Sequence, residues 1–366
     1  MRHVWTGVTT VVALTVSAGC SNGGGQDAPA RPSGATAPYK LGTFQEGERT
    51  FVGMVVGDTV VVDLSRAGVN APSTLRELIA QWDQATADRL DRLAGDAQQA
   101  PPSFAFQRSQ VKVLPPISDP NSILMAARNY ADHANEMARA GRTLGTTTTI
   151  DEKVRVGIPG LWIREPDDAR PNPYLFPKLK SSLIADGDTV QLPPGREHID
   201  YECELVVVIG KRARHVPRDR ALEYVFGYSA MTDVSDREDR ADGRYGSDWL
   251  ISKSHDTFGP TGPYIVPAAF VGDPQNLGIR YTLNGQVMQD DSTALMVHTV
   301  RDLVSYASSI STLHPGDLIG SGTPGGVGEA RVPPVYLKAG DTSVCSIEKI
   351  GSLTNPVQRT AANTTW

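Results

Sequence analysis

The stretch Asp200-Tyr201-Glu202-Cys203-Glu204-Leu205-Val206-Val207-Val208-Ile209-Gly210 constrains the fold more than any other. A strand alternates its side chains with a period of two, so Glu202 and Glu204 face the same way. Five apolar residues follow directly and carry the strand into a core. Two carboxylates side by side at the edge of a core repel each other and lose hydration. A divalent cation relieves both penalties, because hard oxygen ligands suit magnesium, manganese or calcium. A strand end with both acids on a wet face fits the same spacing. Cys203 lies between the acids, faces the opposite side, and reads as a small core residue rather than a ligand.

The surrounding chain narrows the choice of fold. Its 366 residues suffice for one large or two modest domains, and 26 prolines with 35 glycines favour a turn-rich fold of many strands. A net charge of −6 offers no basic surface to nucleic acid. No stretch after residue 20 is long and apolar enough to be a membrane-spanning helix. The first 19 residues are patterned differently. Arg2 and His3 precede an apolar run over 11–16, then Ser17-Ala18-Gly19-Cys20, the outline of an export signal. A cysteine after small residues is similar to the bacterial lipoprotein signal, although Ser17 stands where leucine is usual. An ordinary cleaved signal with an incidental cysteine is the alternative. Residues 20–38, rich in Gly, Ala, Pro and Ser, read as a disordered tether. The expectation is an exported protein of the cell envelope, lipid-anchored at Cys20. That leaves Cys203 and Cys345, whose pairing the sequence does not settle.

Residues 39–115 read as a small N-terminal α+β domain. Two β-rich runs flank Gly57-Asp58, a hairpin signal. Leu75, Leu78, Ile79, Trp82, Leu90 and Leu93 keep helical spacing over 73–93, with Ser73 as the cap. From residue 116 to 366 the pattern is strand-dominated. Strands are predicted over 123–126, 175–190, 201–209, 225–233, 261–266, 279–283 and 344–350, and helices over 131–140 and 300–310. Residues 141–173 form a long polar insertion or lid. The fold class is α+β, predominantly β.

Several other segments bear chemistry. Asp233 ends a half-apolar strand and could complete a carboxylate set on a metal, or serve as a turn aspartate. Lys253 sits in a loop bounded by Gly and Pro, where it is either a solvated charge or a cation at a developing enolate. Gly322-Thr323-Pro324-Gly325-Gly326-Val327-Gly328 is a loop whose bare backbone can approach an anion, or simply a turn. His133 and Glu136 share a helical face, as an exposed pair or as an oriented general base.

Together these pieces resemble the fumarylacetoacetate hydrolase family. The matching motifs occur in order: Arg128-Asn129-Tyr130 with His133 and Glu136; Phe176, Lys178 and Ser181; Glu202 and Glu204 with their apolar run; Asp233-Val234-Ser235 with Arg237-Glu238; Lys253-Ser254 with Asp256; and Gly322-Thr323-Pro324 with Gly326-Val327-Gly328. The resemblance covers about 117–350, and the leading segment is similar to the family's small N-terminal domain. It implies a mixed β-sandwich roll, commonly dimeric. Glu202, Glu204 and Asp233 would bind magnesium or manganese, sometimes calcium. Lys253 would steady an enolate, and His133 with Glu136 would activate water. Arg128, Tyr130, Arg237, Gly322 and Thr323 would bind substrate. The implied reaction is metal-dependent hydrolysis of a C–C bond in a 1,3-dicarbonyl or acylpyruvate-like 2-oxo acid through a metal-bound enolate. Decarboxylation of an oxaloacetate-like acid, or enol–keto isomerisation, would share that enolate. Tailoring of a secondary metabolite and a non-catalytic binding protein are further alternatives. The long insertion, Arg240 where many members carry glutamine, and the export signal depart from the family pattern.

Overall fold

The computed structural model describes residues 37–69, 71–141, 162, 168, 170–238 and 248–360. The export signal, all but the end of the tether, most of the insertion and Arg240 therefore lie outside the described residues.

Strands dominate, in two main sheets that meet across the core. The larger has twelve strands. Ten run in the order Ala105–Gln107, Val60–Asp63, Arg49–Val56, Tyr39–Glu46, Gly259–Pro267, Val225–Thr232, Cys203–Ile209, Leu318–Gly320, Ile123–Ala127 and Tyr174–Pro177; Lys112–Leu114 pairs with Tyr39–Glu46 and Leu183–Ile184 with Gly259–Pro267. The second has five, in the order Gln286–Ser292, Gly278–Leu283, Thr342–Ile347, Gly351–Arg359 and Val190–Leu192. The leading segment shares the large sheet with the strands that carry the acids: Tyr39–Glu46 pairs with Gly259–Pro267, with Leu41 opposite Ile265.

Strand Cys203–Ile209 is buried along its whole length. Cys203, Leu205, Val207 and Ile209 pack in the core with Tyr281, Ile279 and Cys345 of the smaller sheet. Val206 and Val208 pack on the other face with Met125, Ile265 and Leu41. Burial on both faces accounts for an unbroken apolar run in place of alternation.

Two sequence expectations need correction. The single helix over 73–93 is two, Leu75–Ala80 and Gln84–Gln99. Asp83 breaks it by capping the second helix, its carboxylate accepting the Thr86 N–H at 2.7 Å. Such short polar side chains compete with the helical backbone for its own donors. Thr74, rather than Ser73, caps the first helix in a reciprocal pair with Glu77. The strand over 175–190 is likewise broken into Tyr174–Pro177, Leu183–Ile184 and Val190–Leu192. A 3-10 turn at Lys180–Ser182 and the left-handed Gly187 (φ 86°) interrupt it. Helices Ala131–Arg139 and Val300–Ile310 fall where their periodicity places them. Among the described residues no helix is long and apolar enough to cross a membrane.

Candidate metal centre

Glu202 and Glu204 bracket the first residue of Cys203–Ile209, and Asp233 directly follows Val225–Thr232, the antiparallel neighbour. The Asp233 N–H donates to the Glu202 carbonyl at 2.7 Å, tying the two strand ends together. The three carboxylates are buried, and one oxygen from each lies within 4.8 Å of the others. Hard oxygen donors converging this closely suit a divalent ion. Burial, then the like charges of Asp233 and Glu202, push Glu204 well above the usual carboxylate range. Burial would push Glu202 up too, but Lys253, Arg237 and His133 hold it far below that range.

Cations fill much of the remaining space. The Lys253 ammonium donates to Glu202 Oε2 and Asp233 Oδ2 at 2.7 Å each, and to Ser235 Oγ at 2.6 Å. Lys178 Nζ donates to Asp233 Oδ1 at 2.8 Å and also to the Lys253 carbonyl. Burial and the Lys253 charge lower the Lys178 ammonium from its ordinary value against the pull of Asp233. Arg237 Nη2 donates to Glu202 Oε1 at 2.6 Å and pairs with Asp200 Oδ2 at 2.8 Å.

The helix Ala131–Arg139 brings His133 to this cluster. Its Nδ1 lies 3.0 Å from Glu136 Oε1, and its Nε2 faces Glu202 Oε1 at 3.9 Å. The second Glu136 oxygen accepts the Gly326 N–H at 2.8 Å, so the acid that orients the imidazole also holds the glycine loop. On that loop the Gly322 N–H donates to Glu204 Oε2 at 2.9 Å. Gly322 has φ 83°, and a Cβ there would lie 2.8 Å from the Asn129 Cβ. Only glycine lets the backbone approach the acid this closely.

A family model described as the fumarylacetoacetate (FAA) hydrolase C-terminal domain matches residues 122–358. The chain belongs to the fumarylacetoacetate hydrolase family. It is 33% identical over 297 residues to a mitochondrial oxaloacetate tautomerase of Xenopus laevis, covering 81% of this chain and 82% of the relative. A mitochondrial oxaloacetate tautomerase of Bos taurus is 36% identical, with 81% and 83% covered. Among solved structures, the maleylpyruvate hydrolase of Sphingobium sp. SYK-6, in complex with manganese(II) and pyruvate, is similar. It superimposes with a TM-score of 0.63 at 28% identity, covering 88% of this chain and 100% of the other. The fumarylacetoacetate hydrolase of Exiguobacterium antarcticum gives 0.66 at 29% identity, with the same coverage. The chain is therefore an enzyme of this family, and its strand-rich α+β fold is the family's.

Of the residues the family resemblance singles out, Glu202, Glu204, Asp233, Lys253, His133, Glu136 and Arg237 form one connected cluster. Thr323 stands next to it with its hydroxyl engaged inside the protein: it donates to the Cys203 carbonyl at 2.9 Å and accepts from Gln289 Nε2 at 2.8 Å. Tyr130 is buried, its phenol raised by burial and by the Glu204 charge. Arg128 adopts a left-handed backbone (φ 54°), uncommon outside glycine, and burial and Arg237 lower its guanidinium from the ordinary value.

Three residues that contact this cluster, Lys178, Gln289 and Asp200, are not among the candidates above, and only the last carries a sequence signal. Lys178 sits inside a motif of the family, yet nothing in its spacing points at Asp233. Gln289 carries no sequence signal; its Oε1 accepts the Cys203 N–H at 3.1 Å. Asp200 was legible, because it continues the alternation of Glu202 and Glu204 on one face. Fully buried, it accepts the Gly328 N–H at 2.7 Å and the Glu329 N–H at 3.1 Å while pairing with Arg237. Cys203, read as a core residue, is also bonded to Cys345 as a disulfide.

Burial and its two acidic neighbours favour the protonated form of Glu204 when no ion is bound, so loading manganese should release a proton. The affinity should rise with pH until Glu204 ionises unaided. Calorimetry in buffers of differing ionisation enthalpy measures that release; binding with no proton exchange across the carboxylate range would refute the assignment. Asp200→Asn removes the carboxylate facing the Arg237 guanidinium and should lower unfolding free energy by about 3 kcal/mol, as breaking a buried pair does. Denaturant midpoints equal to wild type would show that Arg237 does not depend on it.

Proposed function

We propose that this enzyme forms and protonates the enolate of a 2-oxo acid, with magnesium or manganese held by Glu202, Glu204 and Asp233 (calcium is the next candidate). The observation that carries this reading is the oriented imidazole: His133, fixed through Nδ1 by Glu136, turns Nε2 toward the acid triad. A divalent ion bound there supplies Lewis acidity toward neighbouring carbonyl and carboxylate oxygens. Lys253 places its ammonium beside the same acids, where it can neutralise charge growing on an enolate oxygen. His133 takes the proton, and Glu136 stabilises the imidazolium that results. Arg237, held by Asp200, offers a second cation for a substrate carboxylate.

Where the proton comes from separates two readings. Taken from the carbon next to the oxo group and returned there, it gives keto–enol interconversion of an oxaloacetate-like diacid. The tautomerase relatives support this, since they align over four-fifths of the chain (81%). Taken from water, it gives hydroxide for attack on a second carbonyl, C–C cleavage, and release of the enolate for protonation. The intact His–Glu pair and the likeness to a maleylpyruvate hydrolase favour that second reading. Manganese-loaded protein should be given enolic oxaloacetate and an acylpyruvate. Loss of enol absorbance without new acids supports the first reading, and pyruvate with a carboxylic acid supports the second. In either case His133→Ala should lower turnover by about 10²–10⁴ with manganese affinity retained. Bound manganese with no turnover of either substrate would point to a binding protein.

The same proposal places the enzyme outside the cytoplasm, lipid-anchored at Cys20, as a homodimer. The Cys203–Cys345 disulfide supports export, because disulfides persist in oxidising compartments. Cys20→Ser should move the protein from the membrane fraction to the soluble one, and unchanged partition would sink the anchor.

A further inference from the structure

The disulfide joins the two sheets at the one residue that separates two metal-ligating acids. Cys203 points away from Glu202 and Glu204 and is fully buried. Its partner Cys345 sits inside strand Thr342–Ile347, paired with Tyr281 on one side and Leu353 on the other, with 5.3 Å between the two Cα atoms. The Cys203 peptide is gripped as well. Its N–H is held by Gln289 Oε1 and its carbonyl by Thr323 Oγ1, and Gln289 Nε2 reaches both Thr323 Oγ1 and the Pro324 carbonyl at 2.8 Å. Next in line, Tyr201 stacks on Tyr281 at 4.4 Å with ring planes 7° apart. Side chain and backbone at Cys203 are thus anchored to the smaller sheet and to the glycine loop.

Such anchoring matters because the carboxylates on either side push apart. Three buried acids share a few ångströms, and a good metal site needs its ligands held to within about 0.5 Å by groups that are themselves fixed. Without the bridge, Cys203 would be tied to the smaller sheet by packing and by the Gln289 hydrogen bond among the described residues, with Thr323 holding it to the glycine loop. We infer that the Cys203–Cys345 disulfide is a positioning element for the metal ligands, so that divalent-ion affinity depends on the bridge being oxidised. This rests on the metal-dependent reading above. It ties the enzyme's competence to an oxidising compartment through the site itself, not only through overall stability.

The test measures manganese binding by the electron paramagnetic resonance of free Mn²⁺, at 25 °C, on full-length protein purified without reductant. Compared are wild type, Cys345→Ala, the double variant Cys203→Ala with Cys345→Ala, and wild type reduced under native conditions with a phosphine. Neither cysteine is a ligand, so a lost donor atom cannot explain an effect. Far-UV circular dichroism and the melting curve select samples that are folded at 25 °C; if the variants are not, the reduced wild type decides. The dissociation constant should rise about tenfold in every sample lacking the bridge, the low end of what losing an outer-shell support costs. The spectrum of the bound ion should also broaden as the ligand geometry spreads. An affinity within twofold of wild type in folded, unbridged protein would overturn the inference, as would free thiols at both Cys203 and Cys345 in the native wild type. Wild type that binds no manganese would instead overturn the metal-dependent reading and the inference with it.

Discussion

Glu204→Gln is expected to abolish manganese binding and turnover while leaving the metal-free protein as stable as wild type. Burial and the charges of Asp233 and Glu202 raise Glu204 well above the usual carboxylate range, which favours the neutral acid when no ion is present. A glutamine therefore copies the neutral acid in shape and charge. Its oxygen can still accept the Gly322 N–H, and its amide gains donors facing two carboxylates. What it cannot do is ionise, so a triad of hard anionic donors becomes a pair. Lewis-acid stabilisation amounts to several kcal/mol, which sets the expected loss of turnover at more than about 10³. Manganese titration, thermal melting and turnover on one preparation check the three parts. Wild-type affinity in this variant would remove Glu204 from the ligand set.

Lys253→Met should split affinity from activity. The ammonium is almost fully buried among Glu202, Asp233 and Ser235, and it holds the place of positive charge that an ion would take. Burial disfavours its charge, yet Asp233 and Glu202 keep it above its ordinary value. Removing it leaves Asp233 to Lys178 and Glu202 to Arg237 alone, a loss of buried ion pairing that costs about 3 kcal/mol of metal-free stability. Manganese no longer competes with that ammonium, so it should bind at least as tightly as in wild type and restore much of the lost stability. Turnover should fall by about 10²–10³, as when a preorganised donor to a developing oxyanion is lost. Weaker metal binding with unchanged turnover would assign Lys253 a purely structural role.

The acid pair and its strand were legible because period two and an unbroken apolar run are local signals. Asp233 and Lys253 carry no such signal. Their spacing alone allowed a turn aspartate and a solvated lysine, and only the ordered motifs of the family joined them to Glu202. The structure shows why spacing could not do so: Asp233 reaches the site by strand pairing across Cys203–Thr232, and Lys253 by the short helix Trp249–Lys253. Lys178 and Gln289 are likewise contacts made by tertiary packing, visible only once the strands are placed. Asp200 lay in plain view one step back along the alternation. The helix break at Asp83 was missed because apolar spacing continues through it while the carboxylate takes the Thr86 N–H.

The central claim is that His133, oriented beside a divalent ion, forms and reprotonates the enolate of a 2-oxo acid. Proton–deuteron exchange at C3 of oxaloacetate, followed by NMR in D₂O with stripped and manganese-loaded protein, tests it most directly. Exchange above the spontaneous rate, requiring manganese and lost in both His133→Ala and Glu204→Gln, is the expected result. Exchange at the spontaneous rate with manganese bound, or exchange that persists in the stripped protein, would contradict it.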